Sequence, residues 1–283
     1  MNIKNIDSLI PSEMAQQAEM VGVSKANMSV SKTLVLAILA GAFIAFGSIF
    51  FTTVTAGSTL PYGITKLLGG IAFSLGLVLV IVGGAELFTG NNLIVMAWAN
   101  KKISSSQILK NWFLVYVGNM AGAQFIAVLL FFSRQYLFAS GTVGINILNI
   151  AKAKCELGFI QALVLGILCN ILVCLAVWLC FSSQSVSGKI ISIVFPITAF
   201  VASGFEHSIA NMYFIPEAIL LLYSGDTEFL ALANSTSQNY DSVTWGNYLF
   251  HNLLPVTIGN IIGGAVLVGL VYWFVYLKKT NNS

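Results

Sequence analysis

Ala202-Ser203-Gly204-Phe205-Glu206-His207-Ser208-Ile209-Ala210-Asn211 sets a carboxylate and an imidazole side by side in the middle of an otherwise apolar segment. A charged side chain at bilayer depth costs about 2.5 to 3.5 kcal/mol on insertion scales, so it is retained where it lines a water-filled path or meets a partner. The stretch is expected to form half of a pore centre. That reading requires a membrane, and composition demands one. Of 283 residues, 57% are hydrophobic and 8% charged, with a mean hydropathy of +0.88, a balance no ordinary soluble domain could hide in one core.

Charge-free runs cover positions 33–65, 67–85, 111–133, 157–188, 190–205 and 242–277. Since about 20 apolar residues suffice for a helical span, the chain is expected to be an all-α, multi-pass membrane protein with six transmembrane helices. Lys and Arg concentrate in short cytoplasmic loops. With both termini cytoplasmic, the inner segments hold Lys4, Lys25, Lys32, Lys101, Lys102, Lys110, Lys189, Lys278 and Lys279, nine of the 13 cations, against Lys66, Arg134, Lys152 and Lys154 outside. The acid-only stretch from Asp226 to Asp241 agrees with an outer loop.

Residues 1–31 carry no signal-peptide pattern. Pro11 and Ser12 ahead of Met14, Ala18 and Val21 suit a short amphipathic helix on the inner surface, either an anchor or a pore-occluding segment. Residues 32–277 form the membrane domain, with repeats at about 32–136 and about 157–277, and residues 278–283 a cytoplasmic tail. Cysteines 155, 169, 174 and 180 lack metal-ligand spacing and read as packing residues. The triplet Asn234-Ser235-Thr236 occurs readily by chance and carries no weight. No cofactor, metal or nucleic-acid partner is expected.

Two of the six segments are interrupted. After Gly83-Gly84-Ala85 comes Glu86-Leu87-Phe88-Thr89-Gly90-Asn91, and the apolar stretch that follows, ending at Asn100, is too short to cross. About ten residues rise roughly 15 Å against a hydrocarbon core of about 30 Å. The other interruption is at Gly204 to Ser208, with helix resuming from Ile209. Glu86 and Asn91 correspond to Glu206 and Asn211, and Val117-Gly118-Asn119-Met120-Ala121-Gly122 to Ile258-Gly259-Asn260-Ile261-Ile262-Gly263. A duplicated three-span unit arrives upside down, giving an inverted repeat, and broken helices at matching positions mark its transport site.

In that topology both half-helices start near the midplane, so their positive dipole ends and unpaired N–H groups favour an anion at the centre. Glu86 and Glu206 are expected chiefly to accept hydrogen bonds from opposing loop amides, since irregular backbone at this depth must be satisfied. Thr89 and Ser208 offer hydroxyls. His207 is read as a pore residue opposite Thr89, and His251 as interfacial. Phe73, Leu77, Leu87, Phe88, Val173 and Phe200 flank the breaks and could form dry constrictions or simply pack. Asn170 is interhelical glue or pore lining.

The stretches Phe200 to Met212, Pro255 to Gly264 and Gly84 to Asn92 resemble the formate/nitrite transporter family, and the resemblance runs along essentially the whole length. It implies an aquaporin-like six-helix protomer in a homopentamer of the bacterial inner membrane, each protomer with its own pore. His207 and Thr89 would then form the central site, with Lys154 as an electrostatic attractor. Asn170, Phe73, Leu77, Leu87, Phe88, Val173 and Phe200 would line the pathway, and Glu86, Glu206, Asn91 and Asn211 would support the loops. Passive, bidirectional passage of formate, with or without a proton, is the implied function. Nitrite or hydrosulfide is the alternative within the family. A water pore is disfavoured because neither break contains proline, and an intramembrane enzyme using Glu206 and His207 is the remote alternative, with no HExxH or GxSxG motif to support it.

Overall fold

The computed structural model describes residues 8–234 and 240–278, all helices and connections. Lys4, Lys279, residues 235 and 236 of the triplet and most of the C-terminal tail lie outside the described residues. Five helices are long and apolar enough to cross a membrane: α2 (Val30–Thr55), α3 (Tyr62–Gly83), α5 (Ser105–Ser133), α7 (Phe159–Ser182) and α11 (Asn247–Tyr276). Helices α8 (Val186–Ala202) and α9 (Ser208–Leu222) are shorter and equally apolar, and follow one another across residues 203–207. Helix α3 is likewise followed across residues 84–87 by α4 (88–99), which is an α turn, a 3-10 turn and a second α turn.

The packing has two matching triplets. Helix α2 packs against α3 and α5, α7 packs against α8 and α11, and the triplets meet along α3 and α8. Small residues set the approach distances. A Cβ at Gly122 would run into the Ile38 carbonyl of α2, and one at Gly263 into the Ile167 carbonyl of α7, so these glycines let backbones touch where any side chain would separate them. In α11 the missing N–H of Pro255 leaves the His251 carbonyl without its helical donor, and the turn before the proline is wound as π-helix over Asn247–Leu253.

Helix α1 (Pro11–Ala26) is docked on the protein. Met14, Ala15, Ala18 and Gly22 are buried, and a Cβ at Gly22 would lie 3.2 Å from the Ala97 Cβ of α4. Residue Glu19 accepts from the Asn100 side chain. Two helices appear where the sequence suggested outer loops: α6 (Thr142–Cys155) and α10 (Thr227–Asn234). Helix α6 starts behind Gly141, whose φ of +80° suits a residue without a Cβ, and Asn146 ties it to the Thr52 carbonyl of α2 at 2.8 Å. It thereby carries Lys154 inward to the site.

Candidate functional site

Both interruptions begin with a left-handed glycine. Gly84 (φ +80°) ends α3 with its N–H on the Val80 carbonyl at 3.0 Å, and Gly204 (φ +71°) follows α8 with its N–H on the Val201 carbonyl at 3.1 Å. The chain then turns inward, and one buried carboxylate and three buried asparagines hold each loop.

The two sets of support share most of their bonds, though Asn91 Oδ1 accepts from Lys25 at 2.7 Å where Asn211 Oδ1 has no partner among the described residues, and Asn252 adds a bond to Glu206 Oε2 at 3.2 Å. The Glu86 N–H donates to the Leu36 carbonyl at 3.2 Å, and the Glu206 N–H to the Leu165 carbonyl at 3.3 Å. Lys25 Nζ lies 2.9 Å from Glu86 Oε1, and Lys154 Nζ 2.8 Å from Glu206 Oε1. Asn91 donates to Glu86 Oε2 and Asn211 to Glu206 Oε2, each at 2.7 Å. Asn91 also donates to Asn111 Oδ1 at 3.0 Å, and Asn211 to Asn252 Oδ1 at 2.7 Å. Finally Asn119 accepts from the Phe88 N–H at 2.9 Å and donates to the Glu86 carbonyl at 2.9 Å, while Asn260 accepts from the Ser208 N–H at 3.0 Å and donates to the Glu206 carbonyl at 3.0 Å.

This differs from the sequence reading in two ways. The glutamates accept from lysine and asparagine side chains, where loop amides were expected. The Phe88 and Ser208 N–H groups, expected to be open to an anion, are capped by Asn119 and Asn260. A buried N–H at the first residue of a helix is too costly to leave unpaired. Sequence reasoning missed Lys25, Asn111, Asn252 and the amide roles of Asn119 and Asn260. The signal was present, because Lys25 precedes Lys154 by the same interval that separates Leu36 from Leu165.

At the centre the two interruptions diverge. Leu87 is matched by His207, Phe88 by Ser208 and Thr89 by Ile209. Thr89 Oγ1 and His207 Nε2 are 3.0 Å apart, and both residues are buried. His207 Nδ1 accepts the Ala210 N–H at 3.1 Å, so a neutral ring carries its proton on Nε2 and donates it to Thr89, an assignment made from the hydrogen-bond network. The Thr89 hydroxyl hydrogen is then free to donate to a third group.

The Phe200 ring stacks on His207 with centroids 6.0 Å apart and meets Phe73 edge-on at 5.7 Å. Beyond them opens a cavity of about 380 Å³ lined by Phe73, Phe200, His207, Lys154 and Lys66. On the other side Leu77, Leu87 and Lys25 line a space of only about 40 Å³, walled also by Ala18, Val21 and Gly22 of α1. Asn170 is fully buried, and its amide donates to the carbonyls of Thr89 at 3.3 Å and Asn260 at 2.6 Å, which ties the two half-helix systems together. Phe88 turns its ring to Trp112 and Tyr116 of α5, and Val173 is buried in α7; neither lines either cavity. His251 is exposed. The four cysteines are buried and free, and among the described residues no cluster of metal ligands occurs.

Residues 12–274 match the family model described as "Formate/nitrite transporter". The chain belongs to the formate/nitrite transporter family. It is 47% identical over 277 residues to "Formate channel FocA" of Escherichia coli (strain K12), covering 98% of this chain and 97% of that protein. Against "Formate channel FocA" of Haemophilus influenzae it is 40% identical over 275 residues, covering 97% and 96%. Among solved structures it resembles "Pentameric formate channel with formate bound", with a TM-score of 0.82 and 45% identity over 88% of this chain and 98% of that one. An "FNT family ion channel" gives a TM-score of 0.80 at 29% identity, over 93% and 98%. These relatives are channels, and no enzyme reading is needed for the Glu206–His207 pair.

Proposed function

We propose that this protein is a passive, bidirectional channel for formate in the bacterial inner membrane. The observation that carries the reading is the buried Thr89–His207 pair between a cavity of about 380 Å³ and a space of about 40 Å³, in a chain so similar to proteins named as formate channels. We read α3 with α4, and α8 with α9, as the two interrupted spans of a six-span, aquaporin-like protomer whose halves are inverted copies. Both termini are cytoplasmic, α1 sits at the inner mouth, and five protomers assemble, each with its own path. The matched support networks favour the inverted repeat, and the similarity to a pentameric formate channel favours the pentamer.

A small carboxylic acid resembles a chain-terminal carboxyl, with a pKa of about 3.3 to 3.7, so it arrives as an anion. Phe73 and Phe200 on one side and Leu77 and Leu87 on the other strip its water, which penalises the bare ion heavily. The Thr89 hydroxyl, whose oxygen is already held by His207, meets that penalty by donating to the carboxylate. Formate fits because one oxygen pair and one hydrogen pass where a longer acid would press on the Phe73 and Phe200 rings.

Formate flux in proteoliposomes tests this. Thr89→Val keeps the shape and removes the donor. A hydrogen bond to a charged group contributes about 1.5 to 3 kcal/mol, so flux should fall roughly tenfold or more. His207→Ala, which leaves the Thr89 oxygen unheld, should also slow flux and change its pH dependence. Wild-type flux in Thr89→Val would remove the central donor from the mechanism.

A further inference from the structure

Lys154 lines the outer cavity, yet its Nζ is 2.8 Å from Glu206 Oε1, and that carboxylate also accepts from Asn211 and Asn252. A charge so closely paired is partly offset at a distance, because the carboxylate carries the opposite sign 2.8 Å away. Lys66, from the first turn of α3, lines the same cavity and is half-buried. Its Nζ lies over the Tyr62 ring at 5.4 Å. Among the described residues it makes no ion pair within 4.0 Å, whereas Lys25, Arg134, Lys152 and Lys154 each do.

The charged and titratable groups lining this cavity are Lys66, Lys154, Glu206 and His207. With Lys154 and Glu206 cancelling, and His207 neutral as assigned above, the cavity's net positive charge comes from Lys66. The Tyr62 ring does not cancel that charge. It steadies the ammonium by its negative face and leaves the other donors free. Gln161 and Ser203 line the same space and offer neutral hydrogen-bonding groups. A cavity of about 380 Å³ holds a small carboxylate with part of its hydration shell, so capture there needs no complete desolvation.

We infer that Lys66 is the cation of an outer capture site, where a small monocarboxylate anion is held in the cavity before it meets Phe73, Phe200 and the Thr89–His207 pair. Lys154 is then chiefly a positioning residue, holding Glu206 and through it the loop ahead of α9. The two lysines are separated in function by pairing: one builds the loop, the other supplies the field.

The inference rests on the formate reading, and the test separates the two. Formate uptake into oriented proteoliposomes is measured as a function of formate presented to the Lys66 side, for wild type, Lys66→Met and Lys66→Arg, at low and high ionic strength. Flux through wild type tests the formate reading by itself. The capture site predicts that Lys66→Met raises the half-saturating concentration about five- to tenfold at low salt, equivalent to about 1 to 1.4 kcal/mol at a tenfold step of 1.4. The maximal rate should be retained, and Lys66→Arg should behave as wild type. The wild-type advantage should shrink toward one as salt shortens the Debye length from about 30 Å at 0.01 M to about 3 Å at 1 M. Wild-type saturation with wild-type salt dependence in Lys66→Met would overturn the site. So would an effect that follows the anionic-lipid content of the liposomes and not the salt, since that outcome makes Lys66 a headgroup anchor.

Discussion

Replacing Asn260 by alanine tests whether the matched asparagines hold the half-helices in place. The side chain is fully buried and makes three bonds: it accepts from the Ser208 N–H at 3.0 Å and donates to the carbonyls of Gly166 at 2.8 Å and Glu206 at 3.0 Å. Gly166 lies inside α7, so its carbonyl keeps its helical donor when Asn260 is lost. The Ser208 N–H and the Glu206 carbonyl lie at the interruption and are left without this partner. Each stranded buried group costs about 1 to 3 kcal/mol, which makes about 2 to 6 kcal/mol in all, against a total stability of about 5 to 15 for a typical protein. At about 2 to 4 °C per kcal/mol for chains somewhat shorter than this, thermal unfolding in detergent should drop by roughly 4 to 24 °C. Asn119→Ala strands the Phe88 N–H and the Glu86 carbonyl in the same way and should match it. Asn260→Asp keeps the acceptor but points a carboxylate at two carbonyls, so it should do no better than alanine. An Asn260→Ala protein that melts within about one degree of wild type would refute the assignment, because no stranded buried pair is that cheap.

Leu77 is 2% exposed and lines the space of about 40 Å³, so Leu77→Ala should widen it and raise acetate flux relative to formate several-fold, read as a flux ratio in the same liposomes. An unchanged ratio would take Leu77 out of the size filter. Away from the site Asp226 accepts from the Phe229 N–H, the Tyr136 hydroxyl and Arg134, and these, the Phe229 bond first, hold its carboxyl below the ordinary 3.8. A lowered folded value means the contribution is complete above 3.8 and is lost as pH falls through the folded value. Amide-exchange protection at Phe229 should therefore stay level on acidification to 3.8 and decline only below it, and a decline near neutral pH would show that Asp226 is not the group responsible.

How much of this was legible in the sequence depends on how far each feature reaches along the chain. The end of α3 at Gly83 and the restart at Phe88 are local: two glycines, an acid and a short apolar stretch mark them. The Ser203 to His207 interval is marked the same way. Helix α6 is hidden because its face toward the protein alternates with Asn146, Asn149, Lys152 and Lys154, which lower its hydropathy without weakening its helix propensity. The asparagine amides were hidden for another reason. A lone Asn in an apolar span has no periodicity, and only its counterpart one repeat away reveals that position 119 and position 260 perform the same task. Lys25 was hidden by location, since a lysine in an amphipathic helix reads as a solvated charge until the fold brings it 2.9 Å from Glu86.

The pattern of agreement and divergence between the copies follows from what each position must satisfy. Asn119 and Asn260 meet corresponding backbone groups, while Glu86 and Glu206, Asn91 and Asn211, and Lys25 and Lys154 meet one another's side chains at corresponding distances, and any residue unable to accept or donate there would strand a buried group. Identity is enforced twice by one requirement. The residues facing the centre are under no such requirement. Two histidines meeting there would compete for one proton, and two threonines would leave neither oxygen fixed by a stronger donor. One imidazole against one hydroxyl, His207 against Thr89 at 3.0 Å, gives a single directed chain: Ala210 N–H to Nδ1, Nε2–H to Oγ1, and the threonine hydrogen outward. Matched supports thus hold an unmatched centre, where Leu87, Phe88 and Thr89 stand against His207, Ser208 and Ile209 and the proposed donor has one defined direction.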